Sequence, residues 1–110
     1  MASSKVFHVT DINFENEVLQ SEKPVLLDFS ATWCGPCKAL TPVVEAIAEK
    51  HEAVVKVGKI DIDESPAVAN RLGIRSVPTI VLFKGGKEVD RKVGLVPEAQ
   101  LVAFFQSHTG

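Results

Sequence analysis

Outside one tetrapeptide, Cys34-Gly35-Pro36-Cys37, this 110-residue chain has no cysteine, which excludes a disulfide framework stapling a small fold. A bridge across two intervening residues closes a loop too short to restrict the unfolded chain much, so its value as a structural staple is low. No apolar run approaches the roughly 20 residues that a membrane span needs. The start, Met1-Ala2-Ser3-Ser4-Lys5, lacks the apolar stretch of a secretory signal. Neither sign of charge is in large excess: 12 Lys and Arg against 14 Asp and Glu leave a formal net charge of −2. That balance offers no broad attraction to nucleic acid or to an anionic membrane. His8, His51 and His108 are scattered, without the spacing of zinc ligands. No G-x-G-x-x-G argues for a bound nucleotide, and no calcium-loop pattern surrounds Asp61, Asp63 and Glu64, which read as a solvated strand end and helix start. Internal repeats, linkers and low-complexity segments are also absent. These exclusions leave one domain over residues 1–110, with residues 1–4 as a flexible N-terminus and a monomer favoured by the modest charge. Either the chain stays in the cytoplasm, as a close-spaced thiol pair suits, or a targeting segment has been removed.

What is present is a regular alternation of strands and helices. Val6-Phe7-His8-Val9 reads as a short strand, and Asp11 to Gln20 as a helix with Ile12, Val18 and Leu19 available for burial. Val25-Leu26-Leu27-Asp28-Phe29 is near-continuously apolar, the pattern of a central strand covered on both faces. After the cysteines, Leu40, Val43, Val44, Ile47 and Ala48 form the stripe of a core-facing helix, in which Pro42 predicts a kink. Val54 to Ile62 is the next strand, and Ser65-Pro66 opens a short helix with Ser65 as its capping side chain. Thr79 to Phe83 and Glu88 to Val93 flank Gly85-Gly86, a hairpin signal. Pro97 opens a last helix that buries Leu101, Phe104 and Phe105. The order β-α-β-α-β followed by α-β-β-α predicts an α/β fold: one mixed five-stranded sheet flanked by four helices, parallel in its first half.

The chemistry concentrates at the cysteines. If they open a helix, positions i and i+3 lie about 5–6 Å apart on one face, within the reach of a disulfide. Free backbone N–H groups and the positive end of the helix dipole favour a thiolate there. A zinc half-site is the plainer alternative, but it lacks two ligands. Asp28 interrupts an apolar strand, which is costly unless the carboxylate is paired or protonated; it reads equally as a half-exposed strand end. Lys59 by itself is an ordinary solvated strand lysine, although alternation puts it on the face of Val55 and Val57. Trp33, the only tryptophan, is either a core residue or an exposed docking ring.

With strand, cysteine pair and helix in this order, the chain resembles the thioredoxin family. The resemblance runs through Asp28-Phe29, Trp33-Cys34-Gly35-Pro36-Cys37-Lys38, Lys59, Ser76-Val77-Pro78-Thr79, Gly85-Gly86 and Val93-Gly94, and so covers nearly the whole length. Ser30 departs from many bacterial members, which have a second tryptophan there; it is closer to some eukaryotic ones. The resemblance implies a thioredoxin fold and a general protein-disulfide reductase. Cys34 would attack a target disulfide and Cys37 would resolve the mixed disulfide, with Asp28 relaying the proton. Gly35, Pro36 and Lys59 would tune the pair, Lys59 as the cation beside Asp28. A cis Pro78, where X–Pro bonds are ordinarily trans, would face the cysteines. Trp33, Ile62, Val77, Pro78 and Gly94 would bind extended segments of substrate, whereas Gly94 alone is simply a strand-end glycine.

The implied partners are disulfide-containing proteins and a flavoprotein thioredoxin reductase drawing on NADPH, with no cofactor or metal bound by this chain. Two other functions stay open at this point: a disulfide oxidase or isomerase, and a redox-independent binding or chaperone subunit. Oxidising members of the fold typically carry His directly before the second cysteine, where this chain has Pro36, so the reducing direction is preferred.

Overall fold

The computed structural model describes residues 5–109. Five strands, β1 (Val6–Val9), β2 (Val25–Ser30), β3 (Lys56–Asp61), β4 (Thr79–Lys84) and β5 (Lys87–Val93), form one sheet in the order β1-β3-β2-β4-β5. β1, β3 and β2 run parallel, while β4 and β5 are antiparallel to their neighbours. The helical segments are a π-helical turn (Glu15–Leu19), α1 (Gly35–Lys50), α2 (Pro66–Arg71) and α3 (Glu98–Thr109). Gly85 and Gly86 take φ of 62° and 79°, left-handed values that a two-residue hairpin requires and that glycine adopts without steric cost.

β2 lies at the centre, and all six of its residues are buried. Because side chains alternate across a strand, Leu26 packs with Leu40, Ile47, Ile80, Leu101 and Phe105 under α1 and α3. Val25, Leu27 and Phe29 pack on the opposite face with Phe14, Val18, Val68 and Phe83. Removing each such large side chain from water contributes about 1.5–3 kcal/mol. Asp28 falls between Leu27 and Phe29, on the α1 face. The register sets it against Lys59 of β3 and Ile80 of β4. The sheet thus fixes a carboxylate within an apolar layer before any helix is considered.

Three local expectations are corrected. The helix expected over Asp11–Gln20 is a single π-helical turn, and Ile12 is 94% exposed rather than buried. Side chains there compete for the backbone: Thr10 Oγ1 accepts from the Ile12 and Asn13 amides, and Asn13 Oδ1 accepts from the Thr10 amide. Ser65 stands at the start of α2 without capping it. Its hydroxyl accepts from the Asp11 amide, while the Asp11 carboxylate accepts from the Ala67 and Val68 amides at 3.1 and 2.9 Å. The cap is therefore supplied from a segment more than fifty residues away. α1 runs from Gly35 to Lys50 with Pro42 inside it. β3 begins at Lys56 rather than Val54, which sits exposed in the preceding turn.

Asp11→Ala is expected to cost about 1 kcal/mol, the usual value of an N-cap, read as a lowered urea midpoint. Asp11→Asn should recover part of it, because the amide oxygen still accepts. Equal midpoints for Asp11→Ala and the parent would show that α2 needs no such cap. Among the described residues, no helix is long and apolar enough to cross a membrane.

Candidate active site at the start of helix α1

Cys34 has extended backbone angles (φ −93°, ψ 112°) and is the residue that caps α1. Gly35 follows as the first helical residue, and then Pro36, whose missing N–H would have had no partner in the first turn anyway. This geometry turns the chain so that Cys37 comes back over Cys34. The two are joined as a disulfide with Cα atoms 5.3 Å apart. The Cys37 amide donates to Cys34 Sγ at 3.1 Å, so the first cysteine's sulfur takes the position of a capping oxygen. A backbone donor and the positive end of a 16-residue helix both face it, and both favour negative charge on that atom.

The pair is enclosed from the side by Ala31, Ile62 and Val77, leaving each cysteine almost fully buried. The Val77–Pro78 bond is cis, and the Val77 carbonyl oxygen lies 3.7 Å from Cys34 Sγ. With the disulfide closed, that sulfur has no proton to give the carbonyl. The Gly94 amide donates to the Pro78 carbonyl at 2.8 Å, which ties the end of β5 to the segment facing the cysteines. Gly94 has φ +96°, a value other residues adopt only with strain. Gly35 and Pro36 are exposed beside the pair, and Trp33 is 67% exposed. Trp33 is therefore a surface ring and not a core residue.

Several contributors escaped the sequence reading. Trp33 Nε1 donates to Asp63 Oδ2 at 2.8 Å, and Asp61 Oδ1 accepts from the Asp63 and Glu64 amides at 2.8 and 3.2 Å. Two of the acidic residues taken as merely solvated thus hold the tryptophan and shape the loop beneath it. Val93 and Leu95, on either side of Gly94, are also exposed and widen the apolar surface. An apolar residue on each side of a strand-end glycine was the available signal.

Asp28 is 1% exposed, and neither carboxylate oxygen has a hydrogen-bond partner. Burial pushes its pKa from 3.8 up to about 7, while the positive charge of Lys59 opposes that rise. Lys59 was expected to pair with Asp28, and no hydrogen bond joins them. Its Nζ donates instead to Thr41 Oγ1 at 3.1 Å, and the Thr41 hydroxyl donates to the Cys37 carbonyl at 3.1 Å. Lys59, Thr41 and Cys37 line a cleft of about 680 Å³ on the side of α1 that faces the β1–β3 edge. Among the described residues no group of three or more His, Cys, Asp or Glu is placed to hold a metal ion.

The site thus contains a closed dithiol at a helix start, an apolar collar around it, and a buried carboxyl poised near neutrality. In its reduced form that pair can give two electrons to another disulfide. Comparison with known proteins agrees. The family model for thioredoxin matches residues 5–107. Thioredoxin 1 of Nostoc sp. (strain PCC 7120 / SAG 25.82 / UTEX 2576) is 50% identical over 105 residues, covering 96% of this chain and 98% of the relative. The thioredoxin of Chlorobaculum thiosulfatiphilum is 44% identical over 108 residues (98% and 100%), and that of Porphyra purpurea 50% over 96 residues (87% and 90%). With a capped, disulfide-forming Cys34-Gly35-Pro36-Cys37 and full-length kinship of this order, the chain belongs to the thioredoxin family.

Proposed function

We propose that Cys34 is the attacking thiolate, Cys37 the resolving thiol and Asp28 the proton acceptor of a general protein-disulfide reductase. Membership of the family makes the chain a protein-disulfide oxidoreductase that works through its own disulfide, without a prosthetic group, on disulfide-containing proteins and with a reductase to recycle it. The observation that carries the assignment of roles is the Cys37 amide donating to Cys34 Sγ: it stabilises charge on one sulfur of the pair and not on the other.

The reduced Cys34 thiolate attacks a sulfur of the target disulfide. A new S–S bond forms, and one target sulfur leaves as a thiolate. Cys37 then loses its proton to the Asp28 carboxylate and attacks Cys34 Sγ, which closes the bridge and expels the second target thiolate. The target gains two electrons from the cysteine pair and two protons, one of them the Cys37 proton passed on by Asp28 and the other taken from solvent. A carboxyl with pKa about 7 exchanges a proton efficiently at neutral pH, because the best acid–base groups titrate near the working pH. Trp33, Gly35, Pro36, Ile62, Val77, Pro78 and Gly94 are the docking rim. Its apolar character suits extended segments of many proteins, which backbone pairing can align.

The same reading takes residues 1–110 as one domain acting as a monomer in the cytoplasm, with thioredoxin reductase and NADPH as the electron source. Residues 1–4, expected to be a flexible N-terminus, lie outside the described residues. The test is insulin reduction followed by turbidity with dithiothreitol as the electron donor. The parent should shorten the lag, and Cys34→Ser should behave as buffer alone. Full insulin reduction by Cys34→Ser would overturn the proposal, and a Cys34→Ser, Cys37→Ser double variant that kept full biological activity would favour a binding role. A reduction potential at the oxidising end, measured against glutathione, would favour an oxidase or isomerase instead.

A further inference from the structure

Asp28 and Lys59 are register partners on adjacent strands and carry opposite charges, yet each ignores the other as a hydrogen-bond partner. An ammonium on the neighbouring strand, at the register position beside a buried carboxylate, ordinarily pairs with it, since leaving the carboxylate unsatisfied is costly. Here the ammonium has another acceptor. Thr41 sits one turn beyond Cys37 on α1, and its hydroxyl proton is already committed to the Cys37 carbonyl. Only acceptor capacity is left on that oxygen, and it receives Lys59 Nζ. A β-branched residue in a helix has few side-chain rotamers, so this oxygen is held in place rather than adapting to the lysine.

We propose that Thr41 is a positioning residue: by receiving the Lys59 ammonium on a neutral oxygen, it keeps that cation from pairing with Asp28 and leaves the carboxyl free to take up and release a proton. The inference rests on the reading of Asp28 as the base for Cys37. A carboxylate hydrogen-bonded to an ammonium is held ionised, its pKa lowered by about 1–3; it then binds a proton too weakly to accept one near neutrality. Thr41 therefore acts on the chemistry through Lys59, without touching the reacting sulfurs.

Other charged groups surround the cleft. Lys38 and Glu45 project from α1, His8 from β1 and Asp61 from β3. His8 is occupied by Glu64 at 2.7 Å, and Asp61 by two backbone amides. On the β4 side, Asp28 meets the apolar Ile80. Lys59 is the charge that acts on Asp28.

The experiment is an NMR titration of the Asp28 side-chain carboxyl carbon in the oxidised protein. It is read on the carboxyl itself, so it stands apart from whether Asp28 serves Cys37, which the kinetics of Asp28→Asn decide separately. Thr41→Val removes the acceptor at nearly constant volume, and Thr41→Ala is a second route that a helix tolerates well. In both, the Asp28 midpoint should fall by about one pH unit as Lys59 turns to the carboxylate. Thr41→Ser, which keeps the hydroxyl, should leave the midpoint in place. Lys59→Met alone should raise it, and adding Thr41→Val to Lys59→Met should change nothing more. An unchanged or raised midpoint in Thr41→Val and Thr41→Ala would overturn the proposal. So would a fall of the same size in the Lys59→Met background, because the effect would then not pass through Lys59.

Discussion

Asp28→Asn is expected to stabilise the oxidised protein by about 4 kcal/mol at about pH 9 relative to its effect at about pH 4. The carboxyl pKa rises from 3.8 in the unfolded chain to about 7 in the folded one, because burial penalises the charged form more than Lys59 relieves it. A group whose folded pKa is raised binds its proton more tightly in the folded state. Stability is then fully present below the unfolded value and is lost as pH climbs through the folded one, at about 1.4 kcal/mol per pH unit across the window. Asparagine is neutral throughout, so its stability curve lacks that slope. That is a large share of the roughly 5–15 kcal/mol that holds a domain of this kind together. Urea unfolding of both proteins between pH 4 and 9 measures it. Parallel curves would mean that Asp28 is solvated or paired, and the case for a poised base would go with them. The same substitution should slow resolution of the mixed disulfide, which places stability and function in opposition at one buried position.

What the sequence discloses here follows from how far each interaction reaches along the chain. The apolar run Val25 to Phe29 announces a central strand because burial on both faces is written into consecutive residues. Gly85-Gly86 announces a hairpin because only local backbone angles are at stake. Cys34 and Cys37 announce their own bond because a helix start sets three-residue neighbours side by side. Contacts between distant segments leave no such trace. Asp11 capping α2, Asp63 holding Trp33 and Thr41 receiving Lys59 are each an ordinary polar residue until the sheet order brings the partners together. The helix expected around Ile12 was lost partly to local competition, Thr10 and Asn13 taking the nearby amides, and partly to a distant one, the Asp11 amide donating to Ser65 Oγ. The cis bond before Pro78 was expected only through resemblance, there being nothing in Val77 or Pro78 themselves to single it out. Around the cysteines Trp33 and Gly94 stood out by type, while the exposure of Val93 and Leu95 was not anticipated.

Cys37→Ser is expected to stop the reaction halfway and hold it there. The group that stabilises charge on Cys34 Sγ is the backbone N–H of residue 37, not its side chain, so serine leaves the attacking sulfur's environment intact. The first exchange should proceed at close to the parent rate. The second cannot, because the hydroxyl is no thiol and the mixed disulfide has no internal nucleophile. In the parent, Cys37 attacks from a Cα only 5.3 Å away, and well-oriented intramolecular groups reach effective concentrations of about 10⁵ M or more. An external thiol at millimolar levels is no substitute, so turnover should fall by at least about a thousandfold. Incubation with a disulfide-containing protein should then yield a covalent one-to-one adduct on a non-reducing gel, with the summed mass, released by excess dithiothreitol. Cys34→Ser should give none under the same conditions. The reverse pattern, with adduct on Cys34→Ser and none on Cys37→Ser, would exchange the roles of the two cysteines. It would also mean that the amide bond to Cys34 Sγ does not decide which sulfur attacks.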